Sequence, residues 1–185
     1  WQADAGHGGS SQQHYQIVWM VRMPRVLLAA LVGAGLAVVG VVMQAMVRNP
    51  LADPYMLGVS SGASVGAVSV LAYGSLAAAG IYAITAGAFI GALLATALVY
   101  ALAQQQGRLH ATRLILSGVA IGYMLMGVTS LITLTAGQRE LANALLTWTL
   151  GSLAATQWSA LGLPVVVLAL GLLWLLLCAR QLNAL

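Results

Sequence analysis

Two arginines on either side of a proline are the residues best suited to specific recognition in this sequence. Arg22 and Arg25 flank Pro24 just before a long apolar segment. A guanidinium group can hold a carboxylate through two parallel hydrogen bonds, so the pair could bind acidic residues of a soluble partner. Alternatively, both side chains extend their charged ends to lipid phosphates. The residues alone leave both interpretations open.

The segment that runs from Asn49 to Pro54, with the sequence NPLADP, is a second candidate. A proline disfavours helical geometry in the residue before it, so Asn49 and Asp53 are predicted to be extended. Asn49 can then end one helix, and Asp53 can cap the next with Pro54 in its first turn. We predict a helix connection built on Pro50, Asp53 and Pro54. An ordinary tight connection and a functional segment remain equally open.

Small residues recur at four-residue spacing in nearly every apolar segment, as in Ala29, Gly33 and Ala37. Such spacing places small side chains on one helix face and lets helix backbones approach closely. Tight packing of a helical bundle is the simpler interpretation, and helices that shift along smooth faces are the functional one. The glycines predicted to lie at helix contacts are Gly58, Gly62, Gly66, Gly87, Gly91, Gly118 and Gly122.

The sequence lacks the residue patterns that most catalytic and metal sites require. The apolar segments contain no charged residue, which argues against a proton relay or an ion-coupled site. There is no Gly-x4-Gly-Lys phosphate loop, no paired carboxylates and no histidine spacing typical of a metal site. We therefore predict no catalytic residue, no metal site and no cofactor.

The composition requires a membrane environment. Hydrophobic residues make up 61% of the chain and charged residues 5%, and the mean hydropathy is +0.95, whereas a soluble domain carries about 25% charged residues. The net charge of +4 suits loops near lipid headgroups and does not indicate a nucleic-acid partner. The apolar runs do not alternate with polar residues, which excludes a membrane β-barrel.

An all-α, polytopic membrane helical bundle is the predicted fold class, with about five transmembrane helices. Each span needs roughly 20 apolar residues. Trp19 and Trp158 fall at span ends on the same membrane face, where aromatic belts form. We assign residues 1–20 to an external polar loop and 21–185 to the transmembrane domain, with spans near 26–47, 55–73, 81–103, 114–135 and 161–179 and a short interfacial helix at 141–153.

Three stretches of the chain resemble one family. RMPRVLLAALVGAGLAVVGVVMQAMVRNPLADPYMLGVSSGASVGA resembles the signature of the FecCD-type permeases, the membrane subunits of ABC importers for ferric siderophores, haem and cobalamin. RLILSGVAIGYMLMGVTSLI and LLTWTLGSLAATQW are similar to the corresponding family stretches. The resemblance implies a roughly ten-helix permease fold in the bacterial cytoplasmic (inner) membrane. We expect this chain to hold the second to sixth spans, as part of a longer chain with its N-terminal end outside.

The resemblance also implies partners and a mechanism. A second permease subunit, identical or closely related, would complete the translocation path, and two cytoplasmic ATPase subunits would supply the energy. A periplasmic or lipid-anchored binding protein would deliver the substrate, which crosses by alternating access. The chain would then be a transport subunit and not an enzyme. A membrane-embedded enzyme and a non-transporting helical scaffold remain the alternatives, and the sequence does not identify the cargo.

Specific residues match functional positions of the family. Arg22 and Arg25 match external arginines that pair with acidic residues of the binding protein. The positions that match the cytoplasmic gate are Asn49, Leu51, Ala111 and Thr112, although Ala111 replaces a hydroxyl-bearing residue found in some relatives.

Overall fold

The computed structural model describes residues 12–105, 108–137 and 139–182. These residues are helical apart from connections and one short hairpin, so the predicted all-α class is confirmed. The helices are α1 (Gln12–Val47), α2 (Val59–Tyr73), α3 (Ala83–Ala103), α4 (Ala111–Thr135), α5 (Arg139–Leu150) and α6 (Gly162–Leu182). Shorter elements are the 3-10 turns Pro54–Leu57, Ala77–Tyr82 and Trp158–Ala160 and the antiparallel strands β1 (Gln104–Gln105) and β2 (Arg108–Leu109).

Four helical segments among the described residues are long and apolar enough to cross a membrane. They are α1, α3, α4 and the segment Trp158–Ala179, with mean hydropathies of 2.7, 2.0, 1.9 and 2.7. Helix α2 has only 15 residues because left-handed glycines bound it, with φ of +67° at Gly58 and +62° at Gly74. At 1.5 Å per residue it is about 22 Å long, shorter than the hydrocarbon core. The assignment of a span to residues 55–73 therefore stays a prediction.

Helix α1 begins earlier than the sequence suggested. It starts at Gln12, so residues 12–20, which were assigned to a polar loop, are helical. No glycine or proline interrupts the chain between Ser11 and Pro24, and residues 17–21 are apolar. The rest of the predicted loop, residues 1–11, lies outside the described residues.

A proline near the start of α1 changes the helix geometry before it. Residues Ile17–Arg22 form a π-helix, in which the Met23 amide donates to the carbonyl five residues earlier, at Val18. In an α-helix the ring of Pro24 would collide with a carbonyl of the preceding turn, and the wider π turn relieves that crowding. In the π pattern the donor to the Trp19 carbonyl would be Pro24, which has no N–H. The helix therefore leaves this carbonyl available to another donor.

The described residues form two compact units, which we treat separately. One comprises residues 12–42 and 152–182, and the other comprises residues 43–151. The second unit has a continuous apolar core where the C-terminal end of α1, the NPLADP segment, α3 and α4 meet. We call these residues the core cluster: Met43, Val47, Ala52, Val99, Ala103, Leu114 and Ile121.

Backbone contact between glycines joins α2 to α3. A Cβ atom added to Gly62 would lie 2.5 Å from the carbonyl oxygen of Gly91, and one added to Gly66 would overlap the carbonyl oxygen of Gly87. The reciprocal additions at Gly87 and Gly91 would meet the carbonyl oxygens of Gly66 and Gly62. The two helices pack so closely because neither presents a side chain at these four positions.

The 3-10 turn that precedes α2 packs against glycines of α4. A Cβ atom on Gly118 would overlap the carbonyl oxygen of Met56, while a Cβ on Gly58 would lie 3.6 Å from the Gly118 carbonyl oxygen. One turn later, a Cβ on Gly122 would meet only the Ser61 hydroxyl, at 3.7 Å. The 3-10 turn therefore rests directly on the backbone of α4.

The same spacing in α1 has a different outcome. Gly33 belongs to the stripe formed with Ala29 and Ala37, yet no atom of the described chain lies within 4 Å of a Cβ built on it. Four-residue spacing therefore identifies helix faces that can pack, but not the faces that do pack within these residues.

Candidate functional site

The end of α1 leads into the NPLADP segment through a two-bond cap. The Arg48 amide donates to the Ala45 carbonyl at 3.3 Å, and the Asn49 amide donates to the Gln44 carbonyl at 3.2 Å. This pattern requires a left-handed residue after the helix, usually glycine. Here Arg48 takes that conformation, with φ of +53°. The direction of the chain after α1 is thus fixed by the backbone.

Asn49 then organises a tight turn. Its side-chain Oδ1 accepts a hydrogen bond from the Leu51 amide at 2.9 Å, and its carbonyl accepts one from the Ala52 amide at 3.1 Å. Asparagine at the first position and proline at the second, here Pro50, favour such a turn. The side chain of Leu51 is 81% exposed whereas Ala52 is buried. An apolar side chain is therefore held outward on a fixed backbone.

Asp53 and Pro54 begin the next element with the geometry predicted from the pair. Asp53 is extended, with φ of −123° and ψ of 139°, and its Oδ1 accepts a hydrogen bond from the Tyr55 amide at 2.7 Å. Pro54 occupies the first turn. One detail differs from the prediction: Asp53 caps the 3-10 turn Pro54–Leu57, and Gly58 occupies the N-cap position of α2. The left-handed Gly58 separates the two elements.

Ala111 and Thr112 lie at the start of α4. Ala111 is half-buried and packs against the core cluster, which includes Ala52, whereas Thr112 is exposed. The Ser117 hydroxyl donates to the Arg113 carbonyl of its own helix at 2.7 Å and also lies 3.3 Å from the Val99 carbonyl of α3. The structure therefore brings the NPLADP segment and the start of α4 to the same cluster. None of the four predicted gate residues is fully buried.

In the other unit, the two flanking arginines have different environments. Arg22 is exposed, whereas Arg25 is half-buried and its Nη2 donates a hydrogen bond to the Ala154 carbonyl. The Nε of Arg25 is buried and has no hydrogen-bond partner within the described residues. The pair that looked equivalent in sequence is therefore not equivalent in structure.

A tryptophan supplies the donor that α1 itself lacks. The indole Nε1 of Trp158 donates to the Trp19 carbonyl at 3.0 Å, and the two rings lie 5.2 Å apart. The Tyr15 ring stacks with that of Trp19, with their centroids 6.4 Å apart. The prediction that Trp19 and Trp158 lie at the same end is confirmed. Sequence reasoning missed this hydrogen bond, although a proline five residues after Trp19 was a usable signal.

Polar and charged side chains of the described ranges are exposed or half-buried. Within them no group of three His, Cys, Asp or Glu residues could hold a metal ion, and no polar or charged residue is buried. The side chains of Arg108, Arg139 and Arg180 lie outside the described residues. Fixed turns, exposed apolar residues and exposed arginines are suited to contacts with other surfaces.

Comparison with known proteins places the chain in one family. The model of the FecCD transport family matches residues 2–185. The cobalamin import system permease protein BtuC of Halobacterium salinarum is 41% identical over 169 residues, which are 91% of this chain and 44% of that protein. The hemin transport system permease protein HmuU of Yersinia pestis is 39% identical, over 91% of this chain and 51% of that protein. The achromobactin transport system permease protein CbrC of Dickeya dadantii is 41% identical, over 90% and 47%.

A solved structure has the same architecture. A chain from an inward-facing conformation of a metal-chelate type ABC transporter matches with a TM-score of 0.78 and 30% identity, over 91% of this chain and 52% of its own length. This chain spans about half the length of the curated relatives it matches. The match over nearly all residues, together with the apolar helices, identifies the chain as a multi-pass protein of the cytoplasmic membrane that belongs to the FecCD transport family.

Proposed function

We propose that this chain is part of the transmembrane permease subunit of an ABC importer that carries an iron chelate, haem or cobalamin into the cell. The observation that carries the proposal is the family match across residues 2–185. The named relatives are permease proteins of cobalamin, hemin and achromobactin transport systems. The chain would contribute about half of the subunit's membrane helices and a part of the translocation path.

The partners we propose follow from the family. Two cytoplasmic ATPase subunits would hydrolyse ATP, a second permease subunit would complete the path, and a substrate-binding protein would deliver the cargo. The permease would change between outward-open and inward-open states. The exposed Arg22 supports docking of the binding protein, because a solvated guanidinium group can pair with a carboxylate.

We further propose that the NPLADP segment and the start of α4 form part of the cytoplasmic gate. Three features support this proposal. The backbone from Arg48 to Tyr55 is fixed by hydrogen bonds, Leu51 projects an apolar side chain outward, and Ala111 packs on the same core cluster as Ala52. A rigid backbone that presents a small number of exposed side chains suits a gate that must open and close reproducibly.

Uptake by reconstituted vesicles tests the function. The full-length permease would be placed in proteoliposomes with the ATPase subunits of its own operon and its binding protein. We expect ATP-dependent accumulation of one of three labelled cargoes, a ferric siderophore, haem or cobalamin. A variant of the ATPase subunit that cannot hydrolyse ATP is the matched control and should abolish accumulation. Equal accumulation with that variant, or no accumulation of any cargo class, would contradict the proposal.

A further inference from the structure

The loop that follows α5 has an internally bonded shape. We call residues 152–157 the anchor loop. The Ser152 hydroxyl accepts a hydrogen bond from the Ala154 amide at 3.1 Å. The amide and the hydroxyl of Thr156 both donate to the Leu153 carbonyl, at 3.1 and 2.8 Å. These hydrogen bonds within the anchor loop fix its internal shape. Its position relative to α1 depends on contacts with other residues.

Two hydrogen bonds hold the anchor loop and its C-terminal neighbour against α1. The guanidinium group of Arg25 donates to the Ala154 carbonyl, and the Trp158 indole donates to the Trp19 carbonyl at 3.0 Å. The second bond is available because Pro24 cannot donate to that carbonyl within the π turn. Arg25 directly follows the proline and Trp19 precedes it by five residues, so both attachments lie near Pro24 in α1.

The environment of Arg25 indicates a structural role. Its Nε is buried without a hydrogen-bond partner among the described residues, and a buried unpaired donor is unfavourable. The hydrogen bond from its Nη2 to the Ala154 carbonyl ties the side chain to the loop in this position. With one Nη2 donor used by the loop and Nε buried, Arg25 offers fewer of its five N–H donors to an outside carboxylate than an exposed arginine does.

The neighbouring arginine has the opposite properties. Arg22 is exposed, and the described chain gives it no hydrogen bond or ion pair. Residues three apart on a helix lie on neighbouring positions of one face. Arg22 therefore lies about one turn before the residue that bonds the anchor loop, on the same side of the helix.

We propose that the two arginines have different tasks: Arg25 is a positioning residue that holds the anchor loop beside Arg22, and Arg22 supplies the charge that meets a carboxylate of an acidic partner. This inference rests on the proposed docking of a substrate-binding protein. The docking surface then consists of the Arg22 guanidinium together with the anchor loop. Arg25 contributes to affinity by preorganising that surface, not by its charge.

Salt dependence distinguishes the two tasks. The affinity of the binding protein would be measured for the full-length permease with its ATPase subunits in nanodiscs, at low and high salt. Arg22→Gln should weaken binding about three- to five-fold at low salt and flatten the salt dependence, because exposed charge pairs are modest and screened. Arg25→Gln should weaken binding by a similar or larger factor at both salt concentrations. Trp158→Phe, which removes only the indole donor, should behave like Arg25→Gln without any change in charge.

A distance measurement tests the attachment without a binding protein. Spin labels at Val18→Cys and Gln157→Cys, in a background where Cys178 and any other cysteine are replaced, report the separation of the loop from α1. Both native residues are exposed. We expect Arg25→Gln and Trp158→Phe to broaden the distance distribution and Arg22→Gln, the matched control, to leave it unchanged.

Two results would have different meanings. If Arg25→Gln leaves the distance distribution narrow and flattens the salt dependence as Arg22→Gln does, Arg25 is a second docking charge and the inference is overturned. If Arg22→Gln and Arg25→Gln both leave affinity unchanged at both salt concentrations, the docking proposal itself fails, whatever the distances show.

Discussion

Replacing Gly118 by alanine tests whether glycine contacts fix the position of the NPLADP segment. Gly118 lies in α4, where an added Cβ would overlap the carbonyl oxygen of Met56 in the 3-10 turn that follows the segment. Gly122 lies one turn later on the same helix, and its added Cβ would meet only the Ser61 hydroxyl at 3.7 Å, an ordinary contact. Gly122→Ala is therefore a matched control that makes the same chemical change.

The difference between the two variants isolates the cost of the overlap. Because of its higher helix propensity, alanine stabilises a helix by about 1 kcal/mol relative to glycine at either position. This gain therefore cancels when the two variants are compared. Overpacking of a close contact costs about 1–3 kcal/mol. The Met56 oxygen belongs to the backbone and cannot move to another rotamer, so we expect the upper part of this range. Gly118→Ala should be about 2–3 kcal/mol less stable than Gly122→Ala.

Unfolding of the purified full-length permease in mixed micelles, followed by circular dichroism, measures this difference. Vesicle uptake measured in parallel should fall for Gly118→Ala, because the turn at Pro54–Leu57 must move away from α4 and shift Asp53 with it. Gly122→Ala should retain both stability and uptake. Equal stabilities of the two variants would refute the reasoning, since the backbone contact would then not constrain the turn.

Two further predictions concern the start of the NPLADP segment. Arg48→Gly should stabilise the protein by about 0.5–1 kcal/mol, because a left-handed L-residue costs about 1–2 kcal/mol and glycine recovers part of it; a loss of stability in the same unfolding assay would contradict this. Asn49→Ala removes the acceptor of the Leu51 amide and should destabilise the turn by about 1 kcal/mol and reduce uptake, whereas Asn49→Asp keeps an acceptor oxygen and should retain most uptake. Equal losses of uptake in both Asn49 variants would show that uptake does not depend on the hydrogen bond between the Asn49 side chain and the Leu51 amide.

Local chemistry explains which parts of the candidate site were predictable. Asp53 and Pro54 act within a few residues of chain, so capping geometry followed from their order alone. The helical start of α1 at Gln12 was missed because polar residues were taken to indicate a loop. Polar side chains are compatible with a helix when no glycine or proline interrupts it, and none occurs between Gln12 and Met23.

The two arginines mark the limit of such reasoning. Arg22 and Arg25 have the same type and adjoin the same proline, so no local property separates them. Their difference comes from Ala154, which is more than a hundred positions away along the chain and accepts a hydrogen bond from only one of them. Likewise, the sequence predicted that Trp19 and Trp158 lie at the same end of their helices. Their hydrogen bond, which joins residues far apart in the chain, was visible only in the structure.

The sequence by itself determined the membrane environment, the helical class, the resemblance to the FecCD family and the helix faces that carry only small residues. These properties depend on composition and on spacing along one helix. Only the tertiary structure decided that Gly66 meets Gly87 while Gly33, with the same spacing of small neighbours, meets no described atom. The physical reason is that a glycine permits close approach without causing it. Which helix packs against a given glycine depends on the rest of the fold.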